Sequence, residues 1–563
     1  MFGSLQQFYI CYSIWMLLYA DIEHKSIANN LLFNGLAVSV EDGEKIAIIG
    51  RNGVGKTTLF RMLTGEDGDY TGRVTTRKGT TVVATRQEHH DLGTQTVVEY
   101  VLQNLPEYSE LSHIIETYPE HMGENMGEIT RYSEALERFS ALDYYNIEDR
   151  VRRSLDDYQL GRTADRPMST LSGGQKRFVE LIRVEHSNAD LALIDEPTNH
   201  MDYVAKETFL KWFKSFKHAV VVITHDRDLL QHVGRIVEIK DRGASNFPGN
   251  YSAYLRQNAM RTSAGINEYE TVQRRVANVK KQIQSVRAKK ASTGKTPNPF
   301  IPLENRLVKE LNELLKQAKP SFWIDKESAE SLKPGIEASY QKHKAKTIHI
   351  KRMTGNERQR DLLQLEKVQV GYEQPLFPPL NLSVQTGDRL QIVGRNGAGK
   401  TTLVNAILKS AQDERPATLL HGKINLDTKL RINTYEQELD QKLLDFTLAA
   451  AIERIYDMYE LPVNAEQIMR VLSNYLFDPY ADREHLVRNL SGGQKARLQL
   501  IKLFANEPNL IILDEPTNHL DLPSIEELEA ALAQYKGSLL YISHDSYLTR
   551  HLGGAQLTIN ALT

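Results

Sequence analysis

GEKIAIIGRNGVGKTTL, from Gly43 to Leu59, recurs 344 residues later as GDRLQIVGRNGAGKTTL, from Gly387 to Leu403. Outward from these stretches the repetition continues in the same order. LSGGQKR (Leu171 to Arg177) returns as LSGGQKA (Leu490 to Ala496), and LALIDEPTNHMD (Leu191 to Asp202) as LIILDEPTNHLD (Leu510 to Asp521). An ordered repeat of this length means two copies of one domain. In each copy an apolar run such as KIAIIG enters a glycine loop, and the following TTLFRMLTG carries apolar residues at helical spacing. LALID and AVVVITH, with LIILD and SLLYISH in the second copy, read as buried parallel strands because they are continuously apolar. Strands alternating with helices predict an α/β fold with a mainly parallel sheet in each copy.

The loops GRNGVGKT (Gly50 to Thr57) and GRNGAGKT (Gly394 to Thr401) lie between a strand and a helix, the context of a phosphate-binding P-loop. Their glycines let backbone N–H groups converge on phosphate at a helix N-terminus, where the helix dipole favours an anion. The candidate binding residues are Gly50, Asn52, Gly53, Gly55, Lys56, Thr57 and Thr58, with Gly394, Asn396, Gly397, Gly399, Lys400, Thr401 and Thr402 in the second copy. Lys56 and Lys400 are expected to reach the β- and γ-phosphates, and Thr57 and Thr401 to ligate Mg²⁺. Asp195 and Asp514 each end an apolar strand, where a carboxylate can hold the same ion. Glu196 and Glu515 follow directly and are the candidate general bases, placed to orient and polarise an attacking water.

At 563 residues the chain is too long for a single core. Its net charge of −3 conceals a basic island: residues 271–360 hold 21 Lys and Arg against 8 Asp and Glu, a net of +13. Such a segment is attracted to a nucleic-acid backbone, unless it is simply a solvated linker rich in lysine. Cys11 is the sole cysteine, so no intrachain disulfide forms, which favours the cytoplasm. The apolar start from Phe8 to Ala20 is shorter than a membrane span and has no basic flank. It reads as a buried first strand or as an early start upstream of Met16, with a membrane or export role as the remaining alternative.

The expected organisation is a first domain copy over 1–255, a basic helical linker over 256–361 and a second domain copy over 362–563. Gln87 to Leu171 is 31 residues longer than Gln437 to Leu490. The surplus is placed at about 101–138, as a helical arm or a surface insertion, with Pro106 and Pro119 as breakers. In the linker a charged helix is expected from Glu268 to Lys290, then a break at Ser292 to Pro302, renewed helix from Asn305, and a second basic helical run from Ser339 to Met353. Two helices joined by a loop, a hairpin-like linker, suit this pattern better than a flexible tether.

With LSGGQ in both copies, the sequence resembles the ATP-binding cassette proteins. That resemblance implies that each ATP is sandwiched between cassettes. Ser172, Gly173, Gly174 and Gln175 then act on the nucleotide of the second P-loop, and Ser491, Gly492, Gly493 and Gln494 on that of the first. It also implies that Gln87 and Gln437 touch Mg²⁺ and water, that His225 and His544 sit near the γ-phosphate, and that Asp202 and Asp521 communicate across the pair. Tyr372 matches the family's adenine-stacking aromatic. Aligning Phe33 with Phe377 puts Ala28 at the equivalent place in the first copy, which implies a less base-selective first site.

DEPTNHMD and DEPTNHLD, two cassettes in one chain and a basic linker together resemble the F subfamily of this family. Its members are translation factors or antibiotic-resistance ribosomal protection proteins. The resemblance therefore implies an ATPase that uses ATP and Mg²⁺. It implies a monomer with an intramolecular cassette pair that binds the ribosome, through rRNA and P-site tRNA, with Pro297, Pro299, Phe300 and Pro302 at the linker tip. A housekeeping translation factor, a DNA-associated ATPase and a transporter-coupled ATPase are the alternatives.

Overall fold

The structure, a computed structural model, describes residues 16–27, 30–86, 94–121, 123, 125–199, 201–240, 242–292, 300–315, 348, 360–412, 414–436, 439–518 and 520–560. The chain divides into two compact units, one formed by 1–251 with 348–563, the other by 252–347.

In the first cassette β1 (Met16–Ile27) pairs antiparallel with β2 (Asn30–Glu41) and β4 (Thr71–Thr76). Leu17, Leu18, Ala20 and Ile22 are buried, so the apolar start from Met16 to Ala20 is an internal strand, while Phe8 to Trp15 lie outside the described residues. The main sheet runs in the order β5-β6-β7-β3-β8-β9. Its strands are β3 (Lys45–Gly50), β5 (Val82–Ala84), β6 (Leu191–Asp195), β7 (Ala219–Ile223), β8 (Arg235–Lys240) and β9 (Gly243–Pro248). All neighbours are parallel except β8 and β9. Every residue of LALID and AVVVI is buried, as a parallel sheet covered on both faces requires.

Helix α1 (Lys56–Leu63) follows β3 and packs Leu59, Phe60, Met62 and Leu63 against the sheet core. The surplus of this copy forms two helices, α2 (Tyr108–His121) and α3 (Met126–Ala141). Glu107 clamps Arg138 through both carboxylate oxygens at 2.6 and 2.8 Å, and beside it Tyr144 packs edge-on to Tyr108 and Phe139, whose own rings are tilted at 37°. Pro119 is not a breaker. It sits in the last turn of α2, where the helix is about to end. Helices α4 (Gly173–Glu185) and α5 (Tyr203–Ser215) complete the parts needed below.

In the second unit α6 (Tyr251–Ser292) is a 42-residue helix that starts well before Glu268, and α7 (Ile301–Leu315) returns alongside it. Val279, Ile283, Val286 and Leu307 are buried between the two, flanked by pairs from Arg275 to Glu310 and from Arg287 and Lys290 to Glu304. Pro302 lies in the first turn of α7, where a missing N–H costs nothing. Pro297 and Pro299 fall outside the described residues, as does the run from Ser339 to Met353 apart from Ile348.

The second cassette repeats the plan. The strands β10 (Asp361–Val370), β11 (Leu380–Gln385) and β13 (Leu419–Leu426) form the antiparallel sheet. The parallel sheet has the order β14-β15-β16-β12-β17. Its strands are β12 (Arg389–Val393), β14 (Ile432–Tyr435), β15 (Leu510–Asp514), β16 (Ser538–Ile542) and β17 (Ala555–Thr558). Helix α8 (Lys400–Ser410) follows β12, and α9 (Gly492–Phe504), α10 (Leu522–Gln534) and α11 (Ser546–Leu552) match the later helices.

Candidate functional site

Both P-loops are held by the side chains beneath them. Gly55 and Gly399 cap α1 and α8 with φ of 99° and 92°, a left-handed backbone that suits glycine. A Cβ on Gly55 would fall 2.7 Å from the Phe33 ring, and one on Gly399 would fall 3.1 Å from Leu376 and Phe377. Phe33 and Phe377 are therefore structurally equivalent. Lys56 Nζ donates to the carbonyls of Gly50 and Arg51 at 2.8 and 3.2 Å, and Lys400 Nζ to those of Gly394 and Arg395 at 2.6 and 2.9 Å. Burial lowers the pKa of both ammonium groups, opposed at Lys56 by Glu196, Asp521 and Asp195.

Thr57, at the second position of α1, donates its hydroxyl to Asp195 at 3.0 Å, and Thr401 hydrogen-bonds Asp514 in the same way. A hydroxyl and a carboxylate side by side form an all-oxygen donor pair that suits Mg²⁺, an ion that keeps water and phosphate oxygens as its other ligands. Among the described residues no group of three or more His, Cys, Asp or Glu could hold a metal unaided. Gln87 and Gln437 lie outside the described residues.

Glu196 and Glu515 both adopt left-handed backbone, φ 47° and 45°, an unfavourable choice for a non-glycine residue and one that concentrates at functional sites. Each is fixed by its own N–H, which donates to Ile223 at 2.8 Å or Ile542 at 2.9 Å. Burial, with Asp195 beside it, pushes Glu196 up to about 8, and burial likewise pushes Glu515 up to about 7. His225 Nε2 is 3.6 Å from Glu196 Oε1, and His544 Nε2 is 3.4 Å from Glu515 Oε1. Burial lowers these imidazoles to about 3 and about 4, so both are neutral near pH 7. Both ring nitrogens of His225, with Nε2 of His544 and Oε1 of Glu515, are buried polar atoms without a hydrogen-bond partner. Such atoms are costly unless a ligand or water meets them.

The cassettes face each other head to tail. The Asn52 N–H donates to Asp521 Oδ2 at 2.8 Å, and the Asn396 N–H donates to Asp202 Oδ2 at 2.9 Å. Each P-loop thus contacts the aspartate of the opposite cassette. A further junction joins Arg227 to Glu529 at 3.0 Å and Ser546 to Asp228 at 2.7 Å. Ser172 and Ser491 cap α4 and α9 in capping boxes, with Gln175 and Gln494 donating from N–H at 3.3 Å and accepting from the serine N–H at 3.0 Å. The following glycine N–H groups lie at the free end of each helix, where an anion binds.

A cavity of about 1650 Å³ runs between the cassettes, and its walls include Lys56, Ser172, Glu196, Thr401, Glu515 and His544. Asn52, Gly53, Gly55, Thr57, Thr58, Gly174, Gln175, Asp195, Asp202, His225, Asn396, Gly397 and Asp514 also border it. Ser491, Gly492, Gly493 and Gln494 do not border it, nor does Gly173; Gly492 is packed against Asn52, where a Cβ would fall 2.8 Å from Asn52 Cβ. Gly493 adjoins Ser524, and Lys400, Thr402, Gly50 and Gly394 lie in or under their P-loops. Tyr372 is 76% exposed on a turn closed by a bridge between Gly371 and Pro375. Ala28 is outside the described residues, whereas Ile27, 47% exposed, borders the cavity together with Leu32. Ile27, Leu32 and Gln159 were not legible as site residues, because nothing in their local sequence distinguishes them.

Known proteins resemble this chain along nearly its whole length. A family model described as ABC transporter matches residues 33–199 and again 377–518, and a second of the same description matches 237–296. The chain is 30% identical over 542 residues to "Probable ATP-binding protein YheS" of Escherichia coli K12, covering 95% of this chain and 77% of that protein. It is 28% identical over 541 residues to "ABC transporter F family member 2" of Arabidopsis thaliana, covering 94% and 74%. Among solved structures, "RNase-L Inhibitor" shares the fold at a TM-score of 0.54 and 16% identity over 96% of this chain and 87% of that one. An archaeal complex of ribosomal stalk protein aP1 with ribosome recycling factor aABCE1 shares it at 0.53 and 17%, over the same shares of each chain. The chain belongs to the ATP-binding cassette family and, within it, to the F subfamily: it is an ATPase with two ATP-binding cassettes in one polypeptide.

Proposed function

We propose that this ATPase is a cytoplasmic, ATP-timed clamp that works in translation by binding the ribosome, most specifically as a ribosomal protection protein against antibiotics. The observation that carries the clamp is the reciprocal pair of contacts, Asn52 to Asp521 and Asn396 to Asp202. They make closure of the cassettes and completion of both phosphate sites one event. Two ATP molecules that bind the closed pair more tightly than the open pair shift the equilibrium to closure.

In each site the P-loop N–H groups and Lys56 or Lys400 grip the phosphates, and the opposite signature helix presents its N-terminus to the γ-phosphate. Thr57 with Asp195, and Thr401 with Asp514, would hold Mg²⁺, which neutralises phosphate charge when bound. Glu196 or Glu515, as the carboxylate, orients a water and takes its proton; the neutral histidine beside it steadies that geometry. Hydrolysis removes the bridging γ-phosphate and allows the pair to open.

The ribosome is supported as partner by the +13 charge of residues 271–360, part of which lies on the paired helices α6 and α7. Such a surface is drawn to an RNA backbone. The fold is shared with a protein described as a ribosome recycling factor. A transporter-coupled role would need a separate membrane partner, whereas the two fused cassettes already meet each other through Asn52 to Asp521 and Asn396 to Asp202. DNA would answer the same charge and is the second reading.

The test is sedimentation of the Glu196→Gln, Glu515→Gln chain with 70S ribosomes. Retention with ATP and release with ADP is expected; equal pelleting with duplex DNA and none with ribosomes would favour the second reading. Replacing residues 293–302 by Gly and Ser should abolish drug protection and spare ATP binding, and unchanged protection would remove the linker tip from the mechanism.

A further inference from the structure

The two interface aspartates are held by different means. Asp202 caps α5 through Oδ1, which accepts from the Ala205 N–H at 3.0 Å, while Oδ2 accepts from the Asn396 N–H at 2.9 Å and from Gln159 Nε2 at 3.1 Å. Asp521 caps α10 through Oδ1, bonded to the Ser524 N–H at 3.0 Å, and Oδ2 accepts from the Asn52 N–H at 2.8 Å. Its extra support is the Ser524 side chain. The matching positions are Leu476 for Gln159 and Ala205 for Ser524, so each cassette lacks the other's donor. Burial raises both carboxyl groups, but these hydrogen bonds outweigh it and hold both below the usual carboxylate range.

Gln159 stands at φ 63° and Leu476 at φ 65°. Left-handed backbone crowds a side chain's Cβ and is unfavourable for residues other than glycine. At Gln159 that unfavourable backbone aims an amide across to Asp202 from the loop twelve residues before Leu171, which leads into the Ser172 signature helix. Ser524, by contrast, supports Asp521 from within the same helix.

We infer that Gln159 is a positioning residue for the second ATP site: it fixes the Asp202 carboxylate against the Asn396 N–H and ties that contact to the loop that presents Ser172. The first site receives the equivalent support from Ser524 and, among the described residues, has no such tie. This rests on the reading that Asp202 and Asp521 act across the cassette pair.

The experiment measures release of labelled ATP from the full chain carrying Glu196→Gln and Glu515→Gln, with Lys56→Ala to leave only the second site loaded or Lys400→Ala to leave only the first. Gln159→Leu should speed release from the second site by about fivefold, and at least three times more than from the first. Gln159→Glu, the same size but with a carboxylate facing Asp202, should do so more strongly. Gln159→Gly should relieve the backbone and leave the melting temperature unchanged or higher, yet speed release like Gln159→Leu, an outcome a purely structural residue would not give. Adding Ala205→Ser to Gln159→Leu transplants the second cassette's arrangement and should restore slow release. Equal effects at both sites, or no rescue by Ala205→Ser, would overturn the inference. Asp202→Ala is the control: if it leaves release unchanged, the underlying reading of Asp202 fails, whereas a response to Asp202→Ala with none to Gln159→Leu defeats the inference alone.

Discussion

The two ATP sites carry nearly the same motifs and are packed differently. At the first, the opposing signature glycine Gly492 is already against Asn52, whereas at the second a Cβ on the corresponding Gly173 would meet nothing within 4 Å. The first site offers aliphatic Ile27 and Leu32 to the cavity, while the second cassette carries exposed Tyr372. The candidate bases are alike in one respect: burial raises both well above the ordinary carboxylate range. The same phosphate motifs are therefore set in different packing in the two halves.

The largest expected effect removes the shared chemistry. Glu196→Gln with Glu515→Gln should lower steady-state ATP hydrolysis by about 100-fold or more while ATP still binds, checked by phosphate release and by nucleotide retention on a spin column. Next comes the packing difference. Gly492→Ala forces a methyl into Asn52 and should weaken ATP occlusion at the first site by about tenfold, the scale of a 1–3 kcal/mol overpacking penalty, and should lower the nucleotide-free melting temperature more than Gly173→Ala, whose added methyl meets no protein atom within 4 Å.

A pH profile tests what the two sites share. Only the ionised carboxylate accepts a proton, so a raised pKa makes the rate climb with pH through that value. Chains left with only the first site by Lys400→Ala and chains left with only the second by Lys56→Ala should both reach half-maximal rate well above the ordinary carboxylate range, because burial raises both glutamates. A midpoint in the ordinary range at either site would break that likeness. The smallest effect concerns the base. Tyr372→Ala should weaken ATP at the second site by about threefold to fivefold, and Ile27→Tyr should improve discrimination of ATP from GTP at the first by a similar factor. Competition of both nucleotides against a fluorescent ATP analogue would reveal whether the first site is indeed the less selective.

Much of the fold and of the phosphate machinery was legible because it is local. A strand, a glycine loop and a helix lie consecutive in the chain, so GRNGVGKT and GRNGAGKT carry their own geometry, and LALID and AVVVI announce buried strands by composition. The prolines misled where position within a helix mattered more than presence, as at Pro119 and Pro302. The start of α6 escaped because Tyr251 to Asn267 lacks the charge pattern that marks the remainder.

By itself the sequence determined that there are two copies, that each is an ATP-binding cassette, and which side chains make up its glycine loop, since short-range covalent spacing dictates those. Only the tertiary structure decided that Asn52 meets Asp521, that Gly492 touches while Gly173 does not, and that Gln159 reaches Asp202. Those contacts join residues distant in the chain, and their energy depends on burial and approach distance. Neither quantity is written in any single stretch of residues.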